Sequence, residues 1–199
     1  MTQNLDFDLS TSITLVPNNT NIADDWTPTV STATTISGYD AANGDTGKSY
    51  DPGDVYYEGT GSEHYHVGNY YQWSAATAGY TGTIQSTQSI CPAGWTLPSV
   101  PQFRALISSG LSSSNFMNAP YYLLCGGNLY NSSLDATESL GRYWSSTPDS
   151  SGSAYHLLFF PDTSVGSEGG VGGIIDGGVD VYQDISRYYG LSVRCIAAG

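Results

Sequence analysis

Residues 99–110 carry a complete helix signature, and no other stretch constrains the fold as strongly. Ser99 and Gln102 have capping-box spacing, Pro101 falls in the first turn, Phe103, Leu106 and Ile107 form an apolar stripe, and Gly110 ends the run. Residues 69–78 lack turn formers and place Tyr70, Trp73 and Thr77 on one helical face, which predicts a second helix closed by Gly79. Beyond these, Gly126-Gly127 and the Gly- and Asp-rich stretch 166–178 cut the chain into short strands. Strands are predicted over 142–145, 154–160 and 191–196, joined by loops longer than tight hairpins. Residues 1–60 are polar and read as one strand, around Ile13-Thr14-Leu15-Val16, among long ordered loops. The sum is one α+β domain over 1–199, with two helices, a sheet and no internal repeat.

Charge narrows the function classes. Five Lys and Arg stand against 18 Asp and Glu, a formal charge of -13 that repels phosphate backbones and anionic lipid, so no nucleic-acid partner is expected. Charged residues are only 12% of the chain, and Ser, Thr, Gly, Asn and 16 Tyr supply the polar surface instead. Extracellular β-rich domains and antibody-type binding surfaces share that mix, because Tyr gives large contact area at low entropy cost. No run approaches the roughly 20 apolar residues that span a bilayer, so no direct membrane insertion is expected. Residues 1–30 lack a basic segment followed by an apolar one, which places any export signal or anchor outside this segment. Cysteines at 91, 125 and 195 permit one disulfide and leave one thiol over.

Site chemistry is sparse. Glu63-His64-Tyr65-His66 would put two imidazoles on one side of a strand, but H-E-x-x-H spacing and a cysteine pair are both missing, so a solvated loop is the preferred reading over zinc. Asp40, Asn43, Asp45, Asp51, Asp54 and Glu58 form an acidic tract whose oxygens would suit Ca²⁺, without EF-hand spacing. The 166–178 stretch has no Lys and no phosphate-loop pattern. Cys125 before Gly126-Gly127 is the one candidate nucleophile, with His64 or His66 as base. No set of residues supplies nucleophile, base and orienter together, so no catalytic residue and no required cofactor are expected.

Four stretches together resemble a known family: Met1-Thr2-Gln3-Asn4-Leu5, Ile90-Cys91-Pro92-Ala93-Gly94-Trp95-Thr96-Leu97-Pro98, Tyr143-Trp144-Ser145-Ser146-Thr147, and Arg187-Tyr188-Tyr189-Gly190-Leu191-Ser192-Val193-Arg194-Cys195. In this order they are similar to the Fibrobacter succinogenes major paralogous domain, a family of bacterial surface domains. The resemblance implies a C-type-lectin-like fold, with two helices packed on a mixed, mainly antiparallel sheet with long loops, an extracellular or cell-surface setting, ligand binding without family-wide catalysis, and a domain trimmed at its N-terminus from a larger protein. It also implies a structural disulfide between Cys91 and Cys195, with Cys125 a buried apolar residue. The Glu-Pro-Asn and Trp-Asn-Asp motifs of sugar-binding C-type lectins are absent. The same fold serves the variable proteins of diversity-generating retroelements, whose mutated codons exclude Lys, Met, Trp, Glu and Gln. Between Ser145 and Tyr189 only Glu168 and Gln183 break that restriction.

Strand alternation places the expected ligand-binding face. If Tyr155, Leu157 and Phe159 point inward, then His156, Leu158 and Phe160 point outward together, as an exposed apolar patch or as a local core beneath the 161–180 loop. Asp149, Ser151 and Asp162 flank that strand. Tyr182, Asp184, Tyr188 and Tyr189 approach the same surface from the segment before the last strand. Arg187 and Arg194 read as internal carbonyl-bonding partners. The expectation is a monomeric binding domain for a protein or glycan ligand on another cell or surface. The alternative is a structural module of a surface or pilus-like assembly, with the same apolar residues buried against a neighbouring subunit.

Overall fold

The computed structural model describes residues 68–80, 82–92, 94–112, 114–116, 118, 120–130, 133–136, 139–150, 152–160 and 178–198, with the backbone of 49–50, 56–58 and 64–66. Short strands β1 (Ser49–Tyr50), β2 (Tyr56–Glu58), β3 (His64–His66) and β4 (Tyr70–Tyr71) precede the one-turn helix α1 (Trp73–Ala76). Strand β5 (Trp95–Thr96) leads into α2 (Val100–Ser108). Then come β6 (Asn128–Tyr130), β7 (Ser133–Asp135), β8 (Gly141–Pro148), β9 (Ser153–Phe159), β10 (Val179–Ser186) and β11 (Ile196–Ala197). The principal sheet is antiparallel in the order β10-β9-β8, and the pairs β1-β4, β2-β3, β5-β11 and β6-β7 are antiparallel too. The domain is α+β.

Helix α2 forms where its signals stand. The Ser99 N–H and hydroxyl both donate to Gln102 Oε1 at 2.8 Å, Phe103 is buried, Leu106 and Ile107 pack against the core, and Gly110 leaves the helix at φ 111°. The other predicted helix is shorter than its pattern. Tyr70 and Tyr71 are strand, paired with Tyr50 and Ser49, and Tyr71 exchanges backbone hydrogen bonds with Leu191 at 2.9 and 3.0 Å. Two distant segments offer these aromatic residues a ladder, and that pairing outweighs helical periodicity. Only the turn from Trp73 remains, closed by the Thr77 hydroxyl donating to the Trp73 carbonyl at 2.8 Å.

Two further expectations change. Strands β8 and β9 form a hairpin, closed by the Asp149 N–H donating to the Ser153 carbonyl at 3.1 Å, in place of a long loop. Residues 191–196 make isolated bridges, Leu191 to Tyr71 and Ser192 to Tyr143, and only Ile196 enters a strand, opposite Thr96. The predicted strand at 13–16 lies outside the described residues.

The core divides at the principal sheet. One cluster gathers Tyr71, Trp73, Trp144, Ile185, Leu191 and Val193 around the Cys91–Cys195 disulfide, whose Cα atoms lie 5.8 Å apart. Both indole N–H groups are satisfied there, Trp73 on the Ser145 carbonyl at 2.8 Å and Trp144 on the Tyr71 carbonyl at 2.6 Å. The second cluster seats α2 on the sheet through Phe103, Phe116, Tyr143, Leu157, Phe159 and Val181. Gly141 faces Phe159 across the ladder, and a β-carbon at Gly141 would lie 2.0 Å from the Phe159 ring, so the phenyl occupies the space the glycine leaves.

Candidate functional site

Register assigns the sheet's two faces. Tyr143, Leu157 and Val181 stand opposite one another and enter the α2 cluster, as do Phe159 and Val179 one pair further on. The other face carries the rows Arg142, Leu158, Asp180 and Trp144, His156, Tyr182. Alternation along β9 is therefore as expected, but the exposed patch is not formed. Leu158 is 1% exposed and His156 3%, while Phe160 lies half-buried just past the strand end. Alternation assigns a side chain to a face, and what packs across that face decides whether it meets water.

His156 is unusual chemically. Among the described residues neither ring nitrogen has a hydrogen-bond partner, and the Tyr182 ring lies 6.3 Å away. Burial, aided by the positive charge of Arg142, pushes its pKa down to about 3, so the imidazole is neutral. Burial and then the Asp180 carboxylate raise Tyr182 above the usual phenol range.

Tyr188 and Tyr189 belong to a second cluster, which also includes a residue that strand alternation did not single out. Tyr130, 36% exposed at the end of β6, stacks on Tyr189 with ring centroids 4.5 Å apart and planes 12° off parallel. Tyr188 lies 5.3 Å from Tyr189 and 6.2 Å from Tyr130. The backbone holds this group tightly. Leu129 and Gly190 exchange two hydrogen bonds, at 2.8 and 2.9 Å, and a β-carbon on Gly190 would sit 2.9 Å from Leu129 Cβ and 3.1 Å from Tyr70 Cβ. Gly190 thus permits the close approach that puts Tyr189 beside Tyr130. The Gln72 amide donates to the Tyr188 carbonyl at 3.1 Å. Burial raises the Tyr189 phenol, with Tyr130, Tyr188 and Asp135 adding to the effect and Arg142 opposing it. Arg142, opposite Leu158 on the sheet, acts electrostatically on both Tyr189 and His156.

Asp149 is exposed on the hairpin turn, where its carboxylate accepts the Ser153 hydroxyl at 3.0 Å. That turn is clamped from below by Arg187. Its guanidinium lies 4.1 Å over the Trp73 ring and donates to the carbonyls of Ser150, Ser153 (3.2 Å) and Gly82 (3.0 Å). Arg194 is likewise buried, donating to the Tyr121 and Tyr122 carbonyls. Both arginines hold loops, as their setting in so acidic a chain predicts. Ser151 and Asp162 lie outside the described residues, as does the side chain of Asp184 on β10.

Cys125 is a buried thiol in the α2 cluster, and burial pushes its pKa up to about 12, so it carries almost no thiolate at neutral pH. Among the described residues no three His, Cys, Asp or Glu side chains converge to hold a metal ion. The acidic tract from Asp40 to Asp54 and the side chains of Glu58, His64 and His66 lie outside the described residues. Among the described residues no helix is long and apolar enough to cross a membrane.

Sequence reasoning passed over Tyr130 and Arg142 as site residues. Nothing local to Asn128-Leu129-Tyr130 says that it will form a strand and meet residue 190. No protein-family model, curated protein or solved structure matches the chain.

Proposed function

We propose that this chain is a ligand-binding domain of a bacterial surface or secreted protein, with a C-type-lectin-like arrangement of its α+β elements and no catalytic role. The carrying observation is the surface cluster of Tyr130, Tyr188 and Tyr189, stacked on a backbone fixed by the Leu129–Gly190 bridge. Rigid amphipathic rings on an ordered scaffold give contact area at low entropic cost, the economy that binding surfaces use. The ligand is a protein or glycan outside the cell, the domain acts as a monomer, and its sequence is of the kind that a diversity-generating retroelement rewrites.

The test is binding of the full chain and its Tyr130→Ala/Tyr189→Ala variant to arrays of glycans and of surface proteins. Ligand capture by the wild type that falls at least about tenfold in the variant, a loss of about 1.4 kcal/mol, supports the reading. Equal capture by both, with self-association of the wild type at micromolar concentration, replaces it with a structural module. Sequencing the flanking genomic DNA for a reverse transcriptase and an imperfect repeat of codons 143–195, mismatched only at template adenines, decides the diversification.

A further inference from the structure

We infer that Tyr130 and Tyr189 form an oxidative modification site, at which a one-electron oxidant of the haem-peroxidase class, supplied with hydrogen peroxide, joins the two rings by a carbon–carbon bond into dityrosine. The inference goes beyond the ligand-binding reading and does not depend on it. Leu129 and Gly190 exchange both hydrogen bonds of an antiparallel bridge, so Tyr130, next on one segment, stands opposite Tyr189, which precedes Gly190 on the other. Their rings stack with centroids 4.5 Å apart and planes 12° off parallel. Tyr188 is less well placed, 5.3 Å from Tyr189 and 6.2 Å from Tyr130. Reactants held together in this way couple within one molecule, without having to meet by diffusion.

Exposure and chemistry agree with this pairing. Tyr130 is 36% exposed and presents its phenol to an oxidant in solution, while Tyr189 is half-buried against it. Each phenol gives one electron to the oxidant and its O–H proton to water. The two phenoxyl radicals then pair their electrons in a new bond between Cε atoms, and the hydrogens on those carbons move to the oxygens, restoring two phenols. The two electrons and two protons released reduce one hydrogen peroxide to two waters. Tyr130 is the last residue of β6, so turning its side-chain torsions slides its ring across its partner until the Cε atoms meet. The product fastens the end of β6 to the segment that runs into Cys195, and unlike the Cys91–Cys195 bridge it survives thiol reductants.

Tyr122 supplies an internal control, because it is 37% exposed, as accessible as Tyr130, and among the described residues no other ring pairs with it. The full chain, dilute and with its disulfide intact, is treated with a haem peroxidase and limiting hydrogen peroxide. The monomer is then isolated, weighed and digested. The expected product is two hydrogen atoms lighter, shows dityrosine fluorescence, and yields a cross-linked peptide pair joining Tyr130 to Tyr189. Tyr130→Phe keeps the ring and its stack but has no phenol to oxidise, and is expected to form this product at least about tenfold less. Tyr122→Phe is expected to form it at the wild-type yield. Absence of the lighter monomer overturns the inference, as does a link that maps to any other pair of tyrosines, or an equal yield from the wild type and Tyr130→Phe. Loss of the product in Tyr122→Phe overturns it too, because exposure and not stacking then selects the ring.

Discussion

Tyr130 and Tyr189 stack face to face at 4.5 Å, although one ends a strand in the middle of the chain and the other lies near its C-terminus. The contact depends on the two hydrogen bonds between Leu129 and Gly190, and those depend on Gly190 having no side chain. Gly190→Ala is expected to force these segments apart, destabilising the protein by about 1–3 kcal/mol. The thermal midpoint falls by about 2–4 °C per kcal/mol, and the near-ultraviolet circular dichroism of the tyrosines weakens. An alanine variant with an unchanged midpoint and spectrum would show that the backbone yields at no cost.

Arg187 acts as a fork that a single ammonium cannot replace. Its guanidinium reaches three carbonyls on two loops while stacked on Trp73. Arg187→Lys is expected to lower stability by about 1–3 kcal/mol, since partly buried carbonyls lose charge-assisted donors. Hydrogen exchange checks where the effect lies: protection is lost first at residues 149–153, and uniform loss across the domain would argue against a local clamp.

His156 makes stability depend on pH with a definite sign. Its folded pKa, about 3, lies below the ordinary value of 6.5, so its contribution is complete above about pH 6.5. As pH falls from there toward about 3, the unfolded chain takes up a proton that the native chain refuses, and stability declines by up to about 1.4 kcal/mol per pH unit. His156→Leu removes no hydrogen bond among the described residues, where both ring nitrogens lack partners. The variant should match or exceed the wild type at pH 7 and lose less stability between pH 6.5 and 5 by urea titration. Parallel losses in both proteins would assign the pH dependence to other groups.

The three cysteines should separate cleanly. The Cys91–Cys195 bridge spans 104 residues, and its replacement by serines is expected to cost about 2–5 kcal/mol. Cys125, with a thiol pushed up to about 12, should resist a disulfide reagent at pH 8 in the native protein and react only on unfolding. Rapid labelling of the native protein would show that Cys125 is accessible and ionised, and would reopen a catalytic role.

Parts of this architecture are written locally and parts are not. The Ser99–Gln102 box, the apolar stripe and Gly110 act within a few residues of one another, so α2 is legible from the chain alone. Tyr70 and Tyr71 carry helical spacing as well, but their backbone groups are claimed by Ser49, Tyr50 and Leu191, which lie far off in sequence. The alternation of Leu157 and Phe159 against His156 and Leu158 was readable; whether the second pair met water was not, because burial depends on what lies across a face.

By itself the sequence determined the acidic character, the α+β class, the capped helix and the two faces of β9, since each follows from residue type and short-range periodicity. The tertiary structure alone decided that Tyr130 joins Tyr188 and Tyr189, that Arg142 acts on both Tyr189 and His156, and that Arg187 holds the turn bearing Asp149. Those relationships arise from backbone pairings between distant segments, whose register no local pattern encodes, and from a close approach that the missing side chain of Gly190 permits.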